Sequence, residues 1–260
     1  MQHNLLERSL KVIREEGVVS FVGKVARKII HYLTLFFIPY AIYKLRKEIA
    51  KISKVEELVD LAFNFKINGL NIAPVQVKEE ILELLKILEK IKPKIILEIG
   101  TANGGTLFLF SRIADKNATI ISIDLPGGKF GGGYPKWKIP LYKSFAKGNQ
   151  KIYLIREDSH EEETLRLVKN ILGNKKVDFL FIDGDHTYEG VKKDFEMYSQ
   201  LVRKGGIIAF HDIVEGSTEN VGGVPIFWKE IKKHYKHLEI IKDWNQGGCG
   251  IGLIFYKILF

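Results

Sequence analysis

One cysteine, Cys249, stands in a chain of 260 residues. No disulfide can form within such a chain, and a single thiol suits a reducing cytoplasm. Methionine is almost as scarce, with two residues beside abundant lysine and isoleucine, a composition compatible with adaptation to heat. No long apolar run is present either. The longest uncharged stretch of the N-terminal region, 29–43, has 15 residues and contains Pro39, whereas a spanning helix needs about 20 apolar residues. That stretch also lacks a small-residue cleavage site, so a secretory signal is not expected. The last absence is of charge. Residues 1–54 carry 11 Lys/Arg against 4 Asp/Glu, a net of +7, which leaves only +2 of the total +9 to the other 206 residues. A broad nucleic-acid-binding face on the main domain is thereby excluded.

What is present divides the chain at residue 54. Residues 1–54 read as a basic, apolar N-terminal helical arm. Asn4 with Glu7 has the form of a capping box, Leu6, Leu10 and Ile13 follow at helical spacing, and Gly17 is a stop. The arm has two candidate partners. It packs on the main domain or on another subunit of a homo-oligomer, or it lies in a membrane interface. In the second case Phe36, Phe37, Tyr40 and Tyr43 sit among headgroups, Lys44, Arg46 and Lys47 meet anionic lipid, and the protein works at the inner face of the membrane.

Residues 55–260 read as one α/β domain. Ser53 and Glu56 suggest a capping box that opens a short helix. Residues 75–91 place Ile81, Leu84, Leu85, Leu88 and Ile91 on one helical face, ended by Lys92-Pro93. Apolar runs at 94–99, 119–123, 151–155, 177–182, 206–210, 238–241 and 250–255 then alternate with segments long enough for crossover helices. This pattern predicts a doubly wound, mostly parallel sheet with helices on both faces. The last two runs lack a long helix between them and form a terminal hairpin through Trp244–Gly248. In such sheets ligands bind beyond the carboxyl ends of the strands.

Two constellations fall at those ends. The first strand runs into Glu98-Ile99-Gly100-Thr101-Ala102-Asn103-Gly104-Gly105-Thr106, a turn whose glycines allow close backbone approach to a ligand. Asp124 closes the second strand, 24 residues after Gly100, where an acid can bind a ribose diol. Glu157-Asp158-Ser159 after the third strand suits an adenine edge. A dinucleotide fingerprint needs a glycine where Ala102 stands, which counts against a nicotinamide-dependent oxidoreductase. The second constellation joins Asp183-Gly184-Asp185-His186-Thr187-Tyr188, after the fourth strand, to His211-Asp212, after the fifth. Neighbouring parallel strands bring these ends together. The two carboxylates make a hard-oxygen site for Mg²⁺ or a similar ion, and His186 is placed to take a proton. Asp185 reads as a helix cap and His160 as a solvated loop residue. The glycine-rich loop 126–135 reads as a lid, with Phe130, Tyr134 and Trp137 folding over the site.

Together, Glu98–Thr106, Asp124, Asp158-Ser159, Asp183–Tyr188 and His211-Asp212 resemble the class I S-adenosylmethionine-dependent methyltransferases. The likeness is to the methyltransferase family 24-like group of cephalosporin-hydroxylase-like proteins and macrocin-type sugar O-methyltransferases. Catechol O-methyltransferase is a more distant likeness. The resemblance covers roughly residues 70–256. It implies a Rossmann-like seven-stranded sheet with the last strand antiparallel. It implies that Glu98, Gly100, Thr101, Ala102, Gly104, Gly105 and Thr106 surround the methionine moiety of S-adenosylmethionine. Asp124 would hold the ribose, Asp158 and Ser159 the adenine, and Asp183 would border both cofactor and reaction centre. Asp183, His211 and Asp212 would bind Mg²⁺, with His186 and Asp183 catalytic. The chain departs at His211, where macrocin-type enzymes have a carboxylate and where imidazole suits Mg²⁺ less well. The expected reaction is O-methylation of a hydroxyl on a sugar, glycan or other diol. The alternatives are the oxidoreductase, a catalytically silent membrane-tethered binding protein, and a hydroxylase, for which no convincing iron triad is present.

Overall fold

The computed structural model describes residues 17–20, 22, 25, 37–128 and 132–257. The capping box at Asn4 and Glu7, and Phe36 and Phe130, lie outside the described residues.

Seven strands form the central sheet: β3 (Ile95–Ile99), β4 (Thr119–Ile123), β5 (Lys151–Ile155), β6 (Val177–Ile182), β7 (Val202–His211), β8 (His237–Ile240) and β9 (Ile251–Phe255). They lie in the order β5-β4-β3-β6-β7-β9-β8. The first five are mutually parallel, and β9 runs antiparallel to both β7 and β8. This is the predicted doubly wound sheet, with the predicted hairpin at its end. β7 begins four residues before the apolar run at 206, because Val202 already pairs with Val177 across a register shift. A two-stranded hairpin, β1 (Lys66–Ile67) with β2 (Leu70–Asn71), was not legible in the sequence, since two-residue strands carry no periodicity.

Side chains along the central strands alternate between two cores, as a pleat with a period of two requires. Ile96, Ile120, Phe179, Phe181 and Ala209 face one core. Leu97, Ile121, Leu180, Ile208 and Phe210 face the other. Burial on both faces explains why the strands read as continuous apolar runs. The first core is covered by a helix over residues 37–49 (α1), α2 (Val55–Asn64), α3 (Lys78–Ile91), α4 (Gly105–Ile113) and α5 (Ile139–Lys143). The second is covered by α6 (Glu162–Leu172), α7 (Tyr188–Ser199) and α9 (Val224–Ile231), with the single-turn α8 (Thr218–Val221) before α9.

No reciprocal box of Ser53 and Glu56 opens α2: Glu57 reaches back instead, and the N-cap residue Lys54 makes no side-chain cap hydrogen bond. The Ser53 and Lys54 amides both donate to Glu57 Oε2. α3 starts at Lys78, later than the predicted 75, and Lys92 ends it in the left-handed conformation. α1 packs on the domain through Ile38, Ala41 and Leu45, all buried. Tyr40 and Tyr43 on its outer face are 53% and 62% exposed.

Candidate functional site

The sheet order reverses between β3 and β6, and ligands bind at such a switch point. Ile99 is level with Ile123 on one side and Ile182 on the other, and Ile182 is level with Phe210. Strand pairing continues one step further, with Gly100 N donating to Ile123 O, Asp183 N to Ile99 O and Asp124 N to Ile155 O. Gly100, Asp124, Asp183 and His211 therefore leave the sheet side by side. They line one cavity of about 700 Å³, within the usual range for a small-molecule site.

At one end of this cavity stand Gly100, Ala102, Asp124, Asp158 and Ser159. The Asp124 carboxylate accepts from Ala102 N at 2.8 Å and Gly133 N at 2.7 Å, which fixes its orientation and leaves each oxygen further acceptor capacity. Burial raises its pKa, opposed by those backbone donors. Ala102 adopts a positive φ of 42°, so the turn closes without the glycine a dinucleotide fingerprint needs. Gly100 has its own packing reason. Its φ is +93° and a Cβ there would lie 1.9 Å from Asp183 O.

Glu98, Thr101, Gly104, Gly105 and Thr106 do not line the cavity; they form the layer beneath it. Glu98 is 0% exposed. Ser122 Oγ donates to its Oε2 at 2.7 Å, Thr101 and Ser122 share a hydrogen bond, and Oε1 is buried without a hydrogen-bond partner. Burial pushes the Glu98 pKa up to about 8. A Cβ on Gly104 would meet the Tyr142 ring at 2.6 Å, so that glycine serves helix packing.

The other end holds Asp183, His186, His211, Asp212 and Cys249. Gln76 Nε2 donates to Asp183 Oδ2 at 2.7 Å, and Cys249 N donates to Asp212 Oδ1 at 2.9 Å. Each aspartate is thus oriented through one oxygen and turns the other toward the imidazoles. Asp183 Oδ1 lies 3.1 Å from His211 Nδ1 and 3.5 Å from His186 Nε2. Asp212 Oδ2 lies 3.3 Å from His186 Nδ1 and 3.4 Å from His211 Nδ1. His186 Nδ1 also lies 2.5 Å from Asn220 O. A carbonyl only accepts, so Nδ1 carries the proton and Nε2 is the basic nitrogen of the neutral ring.

Burial opposes the charged forms of Asp183, His186 and His211, and their ion pairs overcome it. The Asp183 pKa is lowered by the two histidines against burial. Burial lowers the His186 pKa, but Asp183, Asn220 O and Asp212 carry it up to about 9. His211 is raised well above its usual value, chiefly by Asp183, again against burial. Asp183, His186 and Asp212 offer ligand atoms within 4.8 Å of one another, as do His211, Asp212 and Cys249.

Three expectations change. His160 is no solvated loop residue. Its ring lies 3.1 Å from Gly190 O and 3.4 Å from Asp194 Oδ1, and Asp194 raises its pKa. Tyr134 does not fold over the site, because it is buried and packs on Tyr142 with ring centroids 4.8 Å apart. Asp185 is a turn acceptor, taking the Thr187 amide at 2.9 Å, while Thr187 itself caps α7. Gln76 was missed entirely. It lies 107 residues from Asp183, and no local pattern announces such a partner.

Residues 97–213 match the family model Methyltransf_24, a methyltransferase domain. An uncharacterized protein, R132 of Acanthamoeba polyphaga mimivirus, is 33% identical over 122 residues, covering 45% of this chain and 50% of that protein. The uncharacterized protein y4gI of Sinorhizobium fredii is 26% identical over 149 residues, covering 56% of this chain and 16% of that protein. The chain therefore matches half or less of the length of these curated relatives. Among solved structures, an O-methyltransferase from Bacillus cereus in complex with SAH has a TM-score of 0.53 at 18% identity, covering 79% of this chain and 93% of that one. The O-methyltransferase TomG from Streptomyces achromogenes, in complex with SAM, has a TM-score of 0.51 at 16% identity, covering 79% and 91%. At these identities the likeness is one of fold.

Proposed function

We propose that this chain, whose residues 97–213 match a methyltransferase-domain family model, is a class I methyltransferase that moves a methyl group from S-adenosylmethionine to a hydroxyl oxygen. The acceptor is a sugar, glycan or other small molecule with neighbouring oxygens, and a divalent cation assists. One observation carries this reading. A single cavity joins a ribose-type acid, Asp124, to a pair of aspartates whose inward oxygens converge with two imidazoles.

The residues fit the cofactor at the cavity's Asp124 end. Glu98 Oε1, buried without a partner in the layer beneath the cavity, would take the ammonium of a methionine moiety once the turn at Thr101–Thr106 opens to admit it, and that contact would draw the raised pKa back down. Asp124 offers lone pairs to a ribose diol, and Asp158 and Ser159 stand on the adenine side. When bound, S-adenosylmethionine supplies a methyl group on a positively charged sulfur. They also fit a divalent cation: Asp183 and Asp212 would hold it through their inward oxygens, with Gln76 and the Cys249 amide orienting them from behind. The cation would supply Lewis acidity that lowers the pKa of the acceptor hydroxyl. His186 Nε2 takes the hydroxyl proton, while the Asn220 carbonyl holds the ring in the tautomer that leaves Nε2 basic. The rest is alignment of the acceptor oxygen in the crevice.

Calorimetric titration with S-adenosylhomocysteine, with and without divalent cations and with NADH as control, tests the cofactor. Micromolar binding of S-adenosylhomocysteine alone is expected, and preference for NADH would favour the oxidoreductase. Turnover screened on free glycans, lipid-linked glycans and catechols tests the acceptor, and catechol-only turnover would refute the glycan reading.

The arm supports a further part of the proposal, peripheral membrane docking. Residues 1–54 carry a net charge of +7. Tyr40 and Tyr43 are exposed beside exposed Lys44, Arg46 and Lys47. Aromatic rings among headgroups and basic side chains above anionic lipid have the chemistry of an interfacial helix. Among the described residues no helix is long and apolar enough to cross a membrane.

A further inference from the structure

The cation end of the cavity has a feature that the pair of aspartates does not explain. Cys249 sits in the left-handed region at φ 58°, between Gly248 and Gly250. Glycine would hold that backbone at lower cost, so a cysteine there carries its strain for a side-chain reason. Its sulfur lies within 4.8 Å of an Asp212 oxygen and a His211 nitrogen. His211 is 3% exposed, and its Nε2 is buried without a hydrogen-bond partner, a donor set left incomplete.

Cys249 is also held firmly. The loop between β8 and β9 is tied to α3 by Glu80, which is 1% exposed. Glu80 Oε1 accepts from Lys242 N at 3.0 Å and Gln246 Nε2 at 2.8 Å. Oε2 accepts from Gly250 N at 2.9 Å. One buried carboxylate therefore grips the start, middle and end of the loop. Gln246 Nε2 also donates to Gly248 O at 2.8 Å, and Cys249 N reaches Asp212 at 2.9 Å. The loop holds its sulfur beside His211 and Asp212, in a group that shares Asp212 with the Asp183–His186–Asp212 group.

We propose that Cys249 is a thiolate ligand of this site, and that the site selects a borderline transition ion such as zinc, cobalt or ferrous iron over magnesium, with Glu80 as the positioning residue that keeps Cys249 in reach. The inference rests on the cation-assisted reading above. Magnesium takes oxygen donors in near-ideal octahedral geometry. Imidazole and thiolate favour the later first-row ions. Binding converts the thiol to thiolate and releases its proton to solvent.

The test uses the full chain, stripped with a chelator and titrated with Co²⁺ by absorption spectroscopy. One equivalent of cobalt should give visible ligand-field bands and a near-ultraviolet sulfur-to-cobalt charge-transfer band. Cys249→Ser should abolish the charge-transfer band and keep the ligand-field bands, and Glu80→Gln should weaken the charge-transfer band. Zn²⁺ should displace cobalt at concentrations at least about 100-fold below Mg²⁺. Cobalt bound without the sulfur band, or Mg²⁺ competing as well as Zn²⁺, would overturn the proposal. S-adenosylhomocysteine binding is measured on the same samples. Cofactor binding without any cobalt uptake overturns the thiolate site and leaves the methyltransferase standing, and a sulfur–cobalt band in protein that ignores the cofactor supports the site while overturning the cofactor reading.

Discussion

Glu98 combines full burial, a carboxyl pKa near 8 and an unpartnered oxygen. In the unfolded chain it titrates near 4.5. A pKa raised on folding contributes stability that is full below the unfolded value and lost as pH rises toward the folded one, here between about 4.5 and 8, at about 1.4 kcal/mol per pH unit. Glu98→Gln keeps the shape and removes the ionisation. It should melt higher than the parent at pH 9, lose that advantage by pH 5, and bind S-adenosylhomocysteine at least about tenfold more weakly. Calorimetric scans across pH check the first part, and an equal pH dependence would show that Glu98 does not ionise. His186→Gln should cut turnover by about 10²- to 10⁴-fold while leaving S-adenosylhomocysteine affinity within about twofold. In the cation-free cluster the aspartates keep His186 protonated up to about 9, so the base form, and the rate of cation-free enzyme, should rise with pH toward that value. Gly100→Ala would place a Cβ against Asp183 O at a positive φ. Soluble yield or denaturation midpoint should fall by the equivalent of about 3 kcal/mol or more, and an unchanged midpoint would mean that β3 and β6 can separate at the site.

At the scale of elements, α4 joins the glycine turn that follows β3 to the sheet. Phe110 on α4 meets Phe179 and Phe181 of β6 edge-on, with ring centroids 5.1 and 5.3 Å apart. β6 is the strand that delivers Asp183. Phe110→Ala should cost about 3–5 kcal/mol by denaturant unfolding, and a cost below about 1 kcal/mol would show that the helix repacks freely. The strands and long helices were readable because burial on both sheet faces leaves uninterrupted apolar runs and crossovers leave amphipathic stripes. The hairpin β1–β2 and the early start of β7 were not readable. Two-residue strands have no period, and Val202 joins β7 only by pairing with Val177.

Over the whole molecule, charge divides unevenly, with a net of +7 in residues 1–54 and +2 in the other 206. If Tyr40, Tyr43 and the neighbouring basic residues meet lipid, the full chain should float with vesicles rich in anionic phospholipid and release as salt is raised. Reversing Lys44, Arg46 and Lys47 to Glu should reduce flotation at least about fivefold without changing the melting temperature, because all three side chains are exposed. Equal flotation of parent and variant would refute docking through this face. α1 itself is no free tether, since Ile38, Ala41 and Leu45 are buried against the domain.

Sequence by itself determined the sheet, its crossovers, the antiparallel end and the positions of Asp124, Asp183, His186, His211 and Asp212 at the strand ends. These follow from apolar periodicity and from the rule that parallel strands end together. Tertiary structure alone decided which groups complete the site. Gln76 reaches Asp183 from a loop 107 residues earlier, and Glu80 holds a loop 170 residues later in the chain at Gly250. Hydrogen bonds across such separations are set by how helices pack on the sheet, and no local pattern records them.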